Sequence, residues 1–354
     1  MLYVTTLDSA ATYTAQTALE QELAPDGGLF CPMTLPKYGK AELEDLLRRP
    51  FWDCAARILN GFFPLRLTGE DLVSEELPVP EFAFIRHKIA VAELWNSKSG
   101  SFSGCMEALC GILGVKAVGT GGWPGIAMGI AVLFGLYGSL CRAGWLKPGE
   151  RVNVAMASGE FRMPMAAWYA GQMGLPLKTA VCVCNENGRP WELLHRGETR
   201  LDSKTQKTAL PLLDVGLPQN LERLVSHRLG PQTALQFAEA RERGGLFSLN
   251  QVQQETLREG FAVSVVGAAR GKGLIPSIYQ NSDYLLSPYT ALVYSGLMDY
   301  RALGGEGTPV LLLAEESPLR WGADVLGALK LPVENLVSQI GQLESRAAAR
   351  RKGD

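Results

Sequence analysis

The sequence after residue 150 alternates short apolar runs with segments of helical periodicity, and this alternation limits the possible folds most. The apolar runs are Val152–Ala157, Thr179–Cys184, Phe261–Gly267 and Thr308–Ala314. Runs that stay apolar at nearly every position are typical of strands buried on both faces, as in parallel sheets covered by helices. The sequence therefore predicts an α/β fold with a mostly parallel sheet and helices on both faces.

Helices are predicted between and around these runs. They are Pro164–Met173, Pro190–His195, Gln219–Leu229, Gln232–Arg243, Asn250–Arg258 with Asn250 as its cap, and Tyr289–Leu303. Leu35–Ile58 predicts a turn followed by one amphipathic helix, because its leucines recur at helical spacing. We expect a mostly helical N-terminal segment (1–80), a main α/β domain (81–330), and a C-terminal helix with a basic tail (331–354). The tail Arg346–Lys352 is expected to fray in solvent.

One uncharged run requires a choice between a core helix and a membrane span. Ala117–Cys141 holds 25 residues without a charge, and about 20 apolar residues suffice to cross a bilayer. Glycines interrupt its first part and Pro124 is well placed to begin a helix, which leaves 17 residues, Gly125–Cys141. The sequence favours a buried core helix and no membrane contact; a membrane-associated protein is the alternative.

Charge and cysteine content argue against several classes of function. Lys and Arg number 34 and Asp and Glu 36, so a net charge of −2 provides no basic field for nucleic acid. The seven cysteines are odd in number and no signal peptide is recognised, which indicates a reducing compartment, the cytoplasm. Cys182 and Cys184 alternate on a predicted strand, but no second Cys or His pair stands at ligand spacing, so no metal site is predicted.

Five motifs occur along the chain in an order that indicates a family. They are Leu23–Pro32 (LAPDGGLFCP), Ala92–Cys105 (AELWNSKSGSFSGC), Ala157–Arg162 (ASGEFR), Ser287–Ala291 (SPYTA) and Glu315–Trp321 (EESPLRW). Together they resemble the threonine synthase family, lyases that use pyridoxal phosphate (PLP). The resemblance runs from about residue 20 to 321 and implies PLP fold type II.

The same resemblance implies that the positions holding the cofactor have changed. The Schiff-base lysine of the family falls on Ser103, whose hydroxyl cannot form an imine with an aldehyde. In the loop that cradles the phosphate, Glu160 stands for an Asn and Arg162 for a Gly, and Glu315 stands at the position facing the pyridine nitrogen. The remnant of the cofactor site is therefore expected at Ser158, Gly159, Glu160, Phe161 and Arg162, with Glu315, and no PLP is expected.

The interval between two of these motifs is short. Ser103 and Gly159 are 56 positions apart, where the family places a small α/β domain. One βαβ unit takes roughly 30 residues, and a domain rarely has fewer than about 50. Because the interval must also contain the apolar run and the strand at Val152, we predict that the small domain is missing and the fold is a trimmed one.

Two interpretations of function follow. The favoured one is a threonine synthase-like pseudoenzyme that acts by binding, with an unknown protein partner or as a homo-oligomer. The alternative is a surviving PLP-dependent lyase, converting O-phosphohomoserine to threonine, in which Lys98 supplies the amine. Lys98 lies in a Ser/Gly-rich segment typical of an exposed flexible loop, whereas a Schiff-base lysine must be held and aimed. Anion binding at Ser158–Arg162 stays open, since a strand-to-helix turn favours anions and Glu160 opposes them.

Overall fold

The computed structural model describes residues 1–115, 121–202, 204–305 and 307–353. The strands are β1 (Leu2–Thr5), β2 (Tyr13–Thr14), β3 (Phe30–Pro32), β4 (Glu81–Ile85), β5 (Ile89–Glu93), β6 (Val152–Ala157), β7 (Leu177–Cys184), β8 (Glu198–Arg200), β9 (Leu246–Ser248), β10 (Phe261–Val265) and β11 (Val310–Ala314). The helices are α1 (Ala15–Glu20), α2 (Lys40–Arg48), α3 (Phe51–Phe62), α4 (Phe102–Ile112), α5 (Trp123–Arg142), α6 (Arg162–Gln172), α7 (Arg189–Trp191), α8 (Asn220–Leu229), α9 (Pro231–Arg243), α10 (Gln251–Arg258), α11 (Ala268–Lys272), α12 (Ile275–Asn281), α13 (Pro288–Tyr300), α14 (Gly322–Ala328) and α15 (Leu336–Gly353).

A six-stranded sheet in the order β10-β7-β6-β11-β5-β4 organises the fold. The first five strands in this order run parallel, and β4 pairs antiparallel with β5 at the edge. Every residue of β11 is buried, as is β6 up to its last residue. The predicted α/β fold with a mostly parallel sheet is confirmed, and β5 and the antiparallel edge strand β4 are additions to the four predicted strands.

Two apolar cores cover the two faces of this sheet. Along β11, Leu311 and Leu313 belong to the core built with α2–α6, α8 and α9. Val310, Leu312 and Ala314 belong to the other core, built with α11–α15. This alternation follows the two-residue period of a strand, and it explains why the strand is apolar at every position.

Helix α5 is the central element of the first core. Among the described residues it is the one helix long and apolar enough to cross a membrane, and 89% of its most apolar 18-residue stretch is buried inside the fold. It runs from Trp123 to Arg142, longer at both ends than the predicted 17 residues. Residues 117–120 of the uncharged run lie outside the described residues.

The N-terminal segment contains a sheet that the sequence analysis missed. Strands β2, β1 and β3 form a three-stranded antiparallel sheet beside α1–α3, an addition to the helices predicted for this segment. Two of these strands have only two or three residues, too few to show a periodicity. The single helix predicted within Leu35–Ile58 is two helices, because Pro50 caps α3 and cannot continue α2.

The basic C-terminal tail is docked. Helix α15 continues to Gly353, and the Arg350 Nε lies 2.5 Å from Asp283 Oδ1. Arg351 donates a hydrogen bond to the Asp283 carbonyl at 2.8 Å, and its guanidinium lies 5.3 Å from the Tyr284 ring centroid. The prediction that this tail frays is therefore wrong for Arg350 and Arg351, because its charges have partners that a composition count does not reveal.

The interval between Ser103 and Gly159 contains α4, α5 and β6. In the described part of this interval, β6 is the only strand, and it belongs to the main sheet. Helix α4 follows β5 and helix α6 follows β6, so both helices lie after the carboxyl ends of strands of the main sheet.

Candidate functional site

A cavity of about 300 Å³ opens at the carboxyl ends of β6 and β11. Its walls are the first turns of α4 and α6, the residues just after β11, the first turn of α13, and the segment at 212–215. The chain leaves β6 toward the first core through α6 and leaves β11 toward the second core through α14. Ligands of open α/β sheets bind at the carboxyl edge where such connections diverge, so the fold places this cavity where a binding site is expected.

Most of the sequence-predicted site residues line this one cavity. They are Ser103, Ser158, Gly159, Glu160, Arg162 and Glu315. Phe161 is fully buried behind the wall, with its ring centroid 5.8 Å from that of Phe261. Lys98 is exposed in the turn before α4 and does not line the cavity. The structure thus unites the remnant loop with Ser103 and Glu315 and leaves Lys98 outside.

The loop between β6 and α6 is a tight turn with unusual backbone angles. The Phe161 N–H donates to the Ser158 carbonyl at 2.7 Å. Gly159 has φ of +42° and Phe161 has φ of +60°. Both lie in the left-handed region, which residues other than glycine rarely adopt. The buried packing of the Phe161 ring holds this conformation, and the turn directs residues 158–160 toward the cavity.

Glu160 is fixed to the wall by the start of α8. Its Oε2 accepts a hydrogen bond from the Gln219 backbone N–H at 3.3 Å, and its carbonyl accepts one from Asn220 Nδ2 at 2.9 Å. Burial raises the pKa of this carboxyl, while the Gln219 bond and the Arg162 charge oppose the rise. A carboxylate is thereby held in the loop where the family carries an amide.

Glu315 and Arg162 are charged groups with unsatisfied atoms. Glu315 Oε1 and Arg162 Nε are both shielded from solvent and have no hydrogen-bond partner. The pKa of Glu315 is raised to about 7, chiefly by burial and also by the nearby Glu316 carboxylate, while the Arg162 charge opposes the rise. Burial lowers the pKa of Arg162, with Glu315 and Glu160 opposing. The wall therefore contains one buried acceptor and one buried donor that have no hydrogen-bond partner.

Two further wall residues were not singled out from the sequence. Glu316 accepts a hydrogen bond from Trp321 Nε1 at 3.0 Å and lies 3.4 Å from Arg320 Nη1. The Tyr289 hydroxyl accepts from the Leu212 N–H at 3.2 Å. Both residues fall inside quoted motifs: Glu316 directly follows Glu315, and Tyr289 belongs to SPYTA. Membership of these motifs was the signal by which the sequence could have indicated them.

The residues present do not fit PLP. The cofactor takes a lysine amine to form its imine and positive or N–H donors for its phosphate. Among the described residues that line the cavity there is no lysine, and Arg162 is the one cation beside Glu160, Glu315 and Glu316. A phosphate at the loop would lie beside the Glu160 carboxylate, and like charges oppose binding.

Metal ligation finds no support in the described part of the chain either. No group of three or more His, Cys, Asp or Glu side chains there could hold a metal ion. Cys182 and Cys184 are fully buried in the first apolar core, where thiols pack as small apolar side chains.

Comparison with known proteins gives three kinds of match. The family model described as threonine synthase N terminus matches residues 2–75. Threonine synthase-like 1 of Macaca fascicularis is 29% identical over 160 residues, which are 44% of this chain and 21% of that protein. Threonine synthase of Corynebacterium glutamicum is 26% identical over 188 residues, which are 51% of this chain and 38% of that protein. The matched part thus spans about a fifth to two fifths of these relatives.

A solved structure matches over nearly the whole length. The crystal structure of threonine synthase from yeast superposes with a TM-score of 0.84 at 17% identity, covering 98% of this chain and 94% of that one. The fold expected from the motifs, PLP fold type II, is confirmed by this likeness.

Proposed function

We propose that this chain, a relative of the threonine synthases, is a non-catalytic protein that acts by binding and not through PLP chemistry. The observation that carries the proposal is that Ser103, which the motif resemblance aligns with the family's lysine, lines the cavity, and that none of the described lining residues is a lysine. A hydroxyl adds to an aldehyde without forming an imine, so the covalent step of the family has no anchor at this position.

The surroundings of Lys98 argue against the alternative of a surviving lyase. Hydrogen bonds fix the chain just after it: Ser317 N–H donates to the Gly100 carbonyl at 3.0 Å, and Phe102 N–H donates to the Glu315 carbonyl at 2.7 Å. The segment is therefore attached to the residues after β11, contrary to the flexible loop that its composition indicated. These bonds hold the chain that follows Lys98, and the exposed Lys98 side chain does not line the cavity.

The experiment is to mix purified protein with one equivalent of PLP, record the absorbance spectrum, reduce with borohydride, and measure intact mass. We expect no visible imine band and no trapped adduct beyond that of a matched lysine control. Lys98→Ala is compared with Lys147→Ala, which removes an exposed lysine remote from the cavity. An adduct that forms in the parent and in Lys147→Ala but is lost in Lys98→Ala would overturn the proposal in favour of the lyase.

Location and partners belong to the same proposal. A protein that acts by binding in the cytoplasm is expected to have a protein partner or to associate with a second copy of itself. Light scattering of the purified chain over a range of concentrations measures self-association. A mass that stays monomeric at all concentrations would leave a different protein as the partner.

A further inference from the structure

We propose that the edge strand β4 pairs antiparallel with β4 of a second copy of this chain, so that two central sheets join into one. The biological role of this dimer rests on the proposed function, because a protein that acts by binding requires a partner. The inference specifies that partner and the surface that it contacts.

The outer side of β4 carries unpaired backbone groups. In the described part of the chain, β4 pairs with β5 alone and ends the sheet on that side. Alternate residues of an antiparallel strand direct their N–H and C=O groups away from the neighbouring strand. No backbone hydrogen bond joins Glu81–Ile85 to any other described segment. This row of donors and acceptors is therefore a template for another strand.

Strand β4 lacks the features that protect an edge. Native edge strands are commonly guarded by charges, prolines or bulges that prevent pairing. The stretch Phe82–Ile85 contains no charged residue and no proline, and its register with β5 is regular throughout. Phe84 is 45% exposed, and its ring centroid lies 6.3 Å from that of Phe82. An apolar, unguarded edge of this kind is typical of a strand that pairs with another strand.

The two ends of β4 have opposite charges. Glu81 begins the strand, and Glu75 and Glu76 precede it; Arg86 and Lys88 follow in the turn, and all five side chains belong to exposed residues. None of them takes part in an ion pair among the described residues. An antiparallel copy brings the acidic end of one strand beside the basic end of the other, whereas a parallel copy would bring like charges together. The charges of the edge are therefore complementary to a second, antiparallel copy.

Two-fold symmetry limits the register of the pair. The axis of a symmetric antiparallel pair runs perpendicular to the sheet beside one residue, which then faces its own copy. With Ala83 at the axis, all five residues of β4 are paired, which is the greatest overlap that the strand allows. Phe82 then faces Phe84 of the second copy on the same side of the sheet. In this register Glu81 lies one position away from Arg86 of the second copy.

The pairing also covers apolar surface beside the edge. The Phe84 ring centroid lies 5.7 Å from that of Trp145, so the aromatic contacts of one copy continue through Phe82 of the other. Val79, two residues before β4, is exposed as well. One short strand from each copy is nevertheless a small contact beside stable interfaces, which bury about 1,200–2,000 Å². We therefore expect a reversible dimer with a dissociation constant in the micromolar range.

The test is sedimentation velocity of the full chain across the micromolar range, with charge-reversed variants at exposed positions. Glu81→Lys and Arg86→Glu should each raise the dissociation constant roughly tenfold, because each sets like charges side by side. The double variant restores opposite charges and should return to within about threefold of the parent. The matched control is Glu107→Lys, which makes the same change of charge at an exposed position on α4 and should have no effect.

Hydrogen exchange of the same samples locates the contact. The outward amides of β4 are hydrogen-bonded in the dimer and solvent-exposed in the monomer, so their exchange should slow as the concentration of the parent rises. In Glu81→Lys the exchange of these amides should stay fast over the same concentrations. A dimer formed through any other surface would leave the exchange of β4 unchanged.

Three outcomes would overturn the inference: a chain that stays monomeric throughout, a dimer that the double charge reversal does not restore, or a dimer in which exchange of β4 does not slow. The proposed function is decided separately, by the borohydride-trapped adduct. A monomeric chain without an adduct overturns the dimer alone. A Lys98 adduct overturns the proposed function, while sedimentation and exchange still decide whether β4 pairs.

Discussion

At the scale of single residues, the protonation of Glu315 connects the cavity to the stability of the fold. Its pKa of about 7 lies above the ordinary value of 4.5, so the folded state keeps a proton that the unfolded state releases. The stability from this protonated form is complete below pH 4.5 and is lost as the pH rises to about 7. Above that pH the buried charge destabilises the fold by about 1–3 kcal/mol.

Glu315→Gln should therefore stabilise the protein at pH 8 by about 1–3 kcal/mol and change little at pH 4.5. Urea unfolding at the two pH values measures the difference in the free energy of unfolding. Glu107→Gln, which changes an exposed carboxylate on α4 outside the cavity wall, should change this free energy at neither pH. A Glu315→Gln variant less stable than the parent at pH 8 would show that the carboxylate is satisfied in the folded state.

Arg223 is a second residue whose environment makes a sharp prediction. It is fully buried and donates to the Phe30 carbonyl at 2.9 Å and the Gly121 carbonyl at 2.9 Å. Arg223→Ala leaves both carbonyls unpaired and opens a hole, so we expect a loss of about 3–5 kcal/mol in the free energy of unfolding. Arg223→Lys keeps the charge without the planar fork and should lose less. A loss under about 1 kcal/mol for Arg223→Ala in urea unfolding would contradict this role.

At the scale of elements, glycines set the distance between α5 and α6. A Cβ on Gly129 would lie 2.8 Å from the Ala166 Cβ and 3.0 Å from the Met163 Sδ. Gly129→Ala should therefore push α6 away and destabilise the fold by about 1–3 kcal/mol.

The matched control for Gly129→Ala is Gly111→Ala on α4. Gly111 is an exposed helical residue, and a Cβ there would meet nothing within 4 Å. Helix propensity alone should make this variant neutral or more stable by up to about 1 kcal/mol. Thermal unfolding of the two variants side by side separates close packing from helix propensity, and equal effects would contradict the packing argument.

The docking of α15 is another property of an element. Replacing Arg350 and Arg351 together by Ala removes the ion pair with Asp283 and the contact with Tyr284. Exposed pairs contribute little, so we expect a loss of about 1 kcal/mol and faster hydrogen exchange of the amides of α15 only. Arg346→Ala, an exposed arginine on the same helix, should leave exchange unchanged. Unchanged exchange in the double variant would mean that the apolar face of α15 suffices to hold it.

At the scale of the whole molecule, the titrating groups together predict where stability is greatest. Burial raises the pKa of Glu315 and of Glu344 to about 7. Each therefore contributes stability that is lost as the pH rises from 4.5 to 7. Burial lowers the pKa of His227 to about 4, and this group contributes stability above pH 6.5 that is lost as the pH falls toward 4.

The pKa of Glu93, Glu160 and Glu316 is also raised and that of His195 is also lowered, so five carboxyl groups oppose two imidazoles and the net slope is negative with rising pH. We expect the free energy of unfolding to be greater at pH 5.5 than at pH 7.5, by about 1–3 kcal/mol. Urea midpoints across pH 4.5–8 measure it. The double variant of Glu315 and Glu344 to Gln should make the slope less steep, and a parent maximum above pH 7 would contradict the assignment.

Most of the central sheet could be predicted from the sequence, because a strand that is buried on both faces is apolar at nearly every position. The prediction for Val152–Ala157 matches β6 at both ends, and Asn250 caps α10 as expected. Strands β4 and β5 were both missed: β4 alternates between exposed and buried residues, and β5 is a run of only five residues that pairs with it in a hairpin. Pairing of this kind depends on chain path and not on local pattern.

The candidate site was predictable to the extent that its residues sit at strand ends. Ser158 and Glu315 follow β6 and β11, and carboxyl ends of neighbouring parallel strands meet at one edge. The wall at 212–215 is placed instead by long-range hydrogen bonds, such as that from Asn185 Nδ2 to Asp214 Oδ1 at 2.8 Å. Nothing in the local sequence indicates such a contact.

The left-handed Phe161 has a consequence for any attempt to study the loop by itself. A non-glycine residue in that conformation is disfavoured by about 1–2 kcal/mol and persists only while the surrounding structure holds it. Here the contact that holds Phe161 comes from Phe261, which lies in a strand about a hundred residues further along the chain. A synthetic peptide copying residues 152–172, or the same segment grafted onto another scaffold, will relax to an ordinary turn and lose the arrangement of Ser158–Glu160. The loop is a product of the finished tertiary structure and not a transferable module.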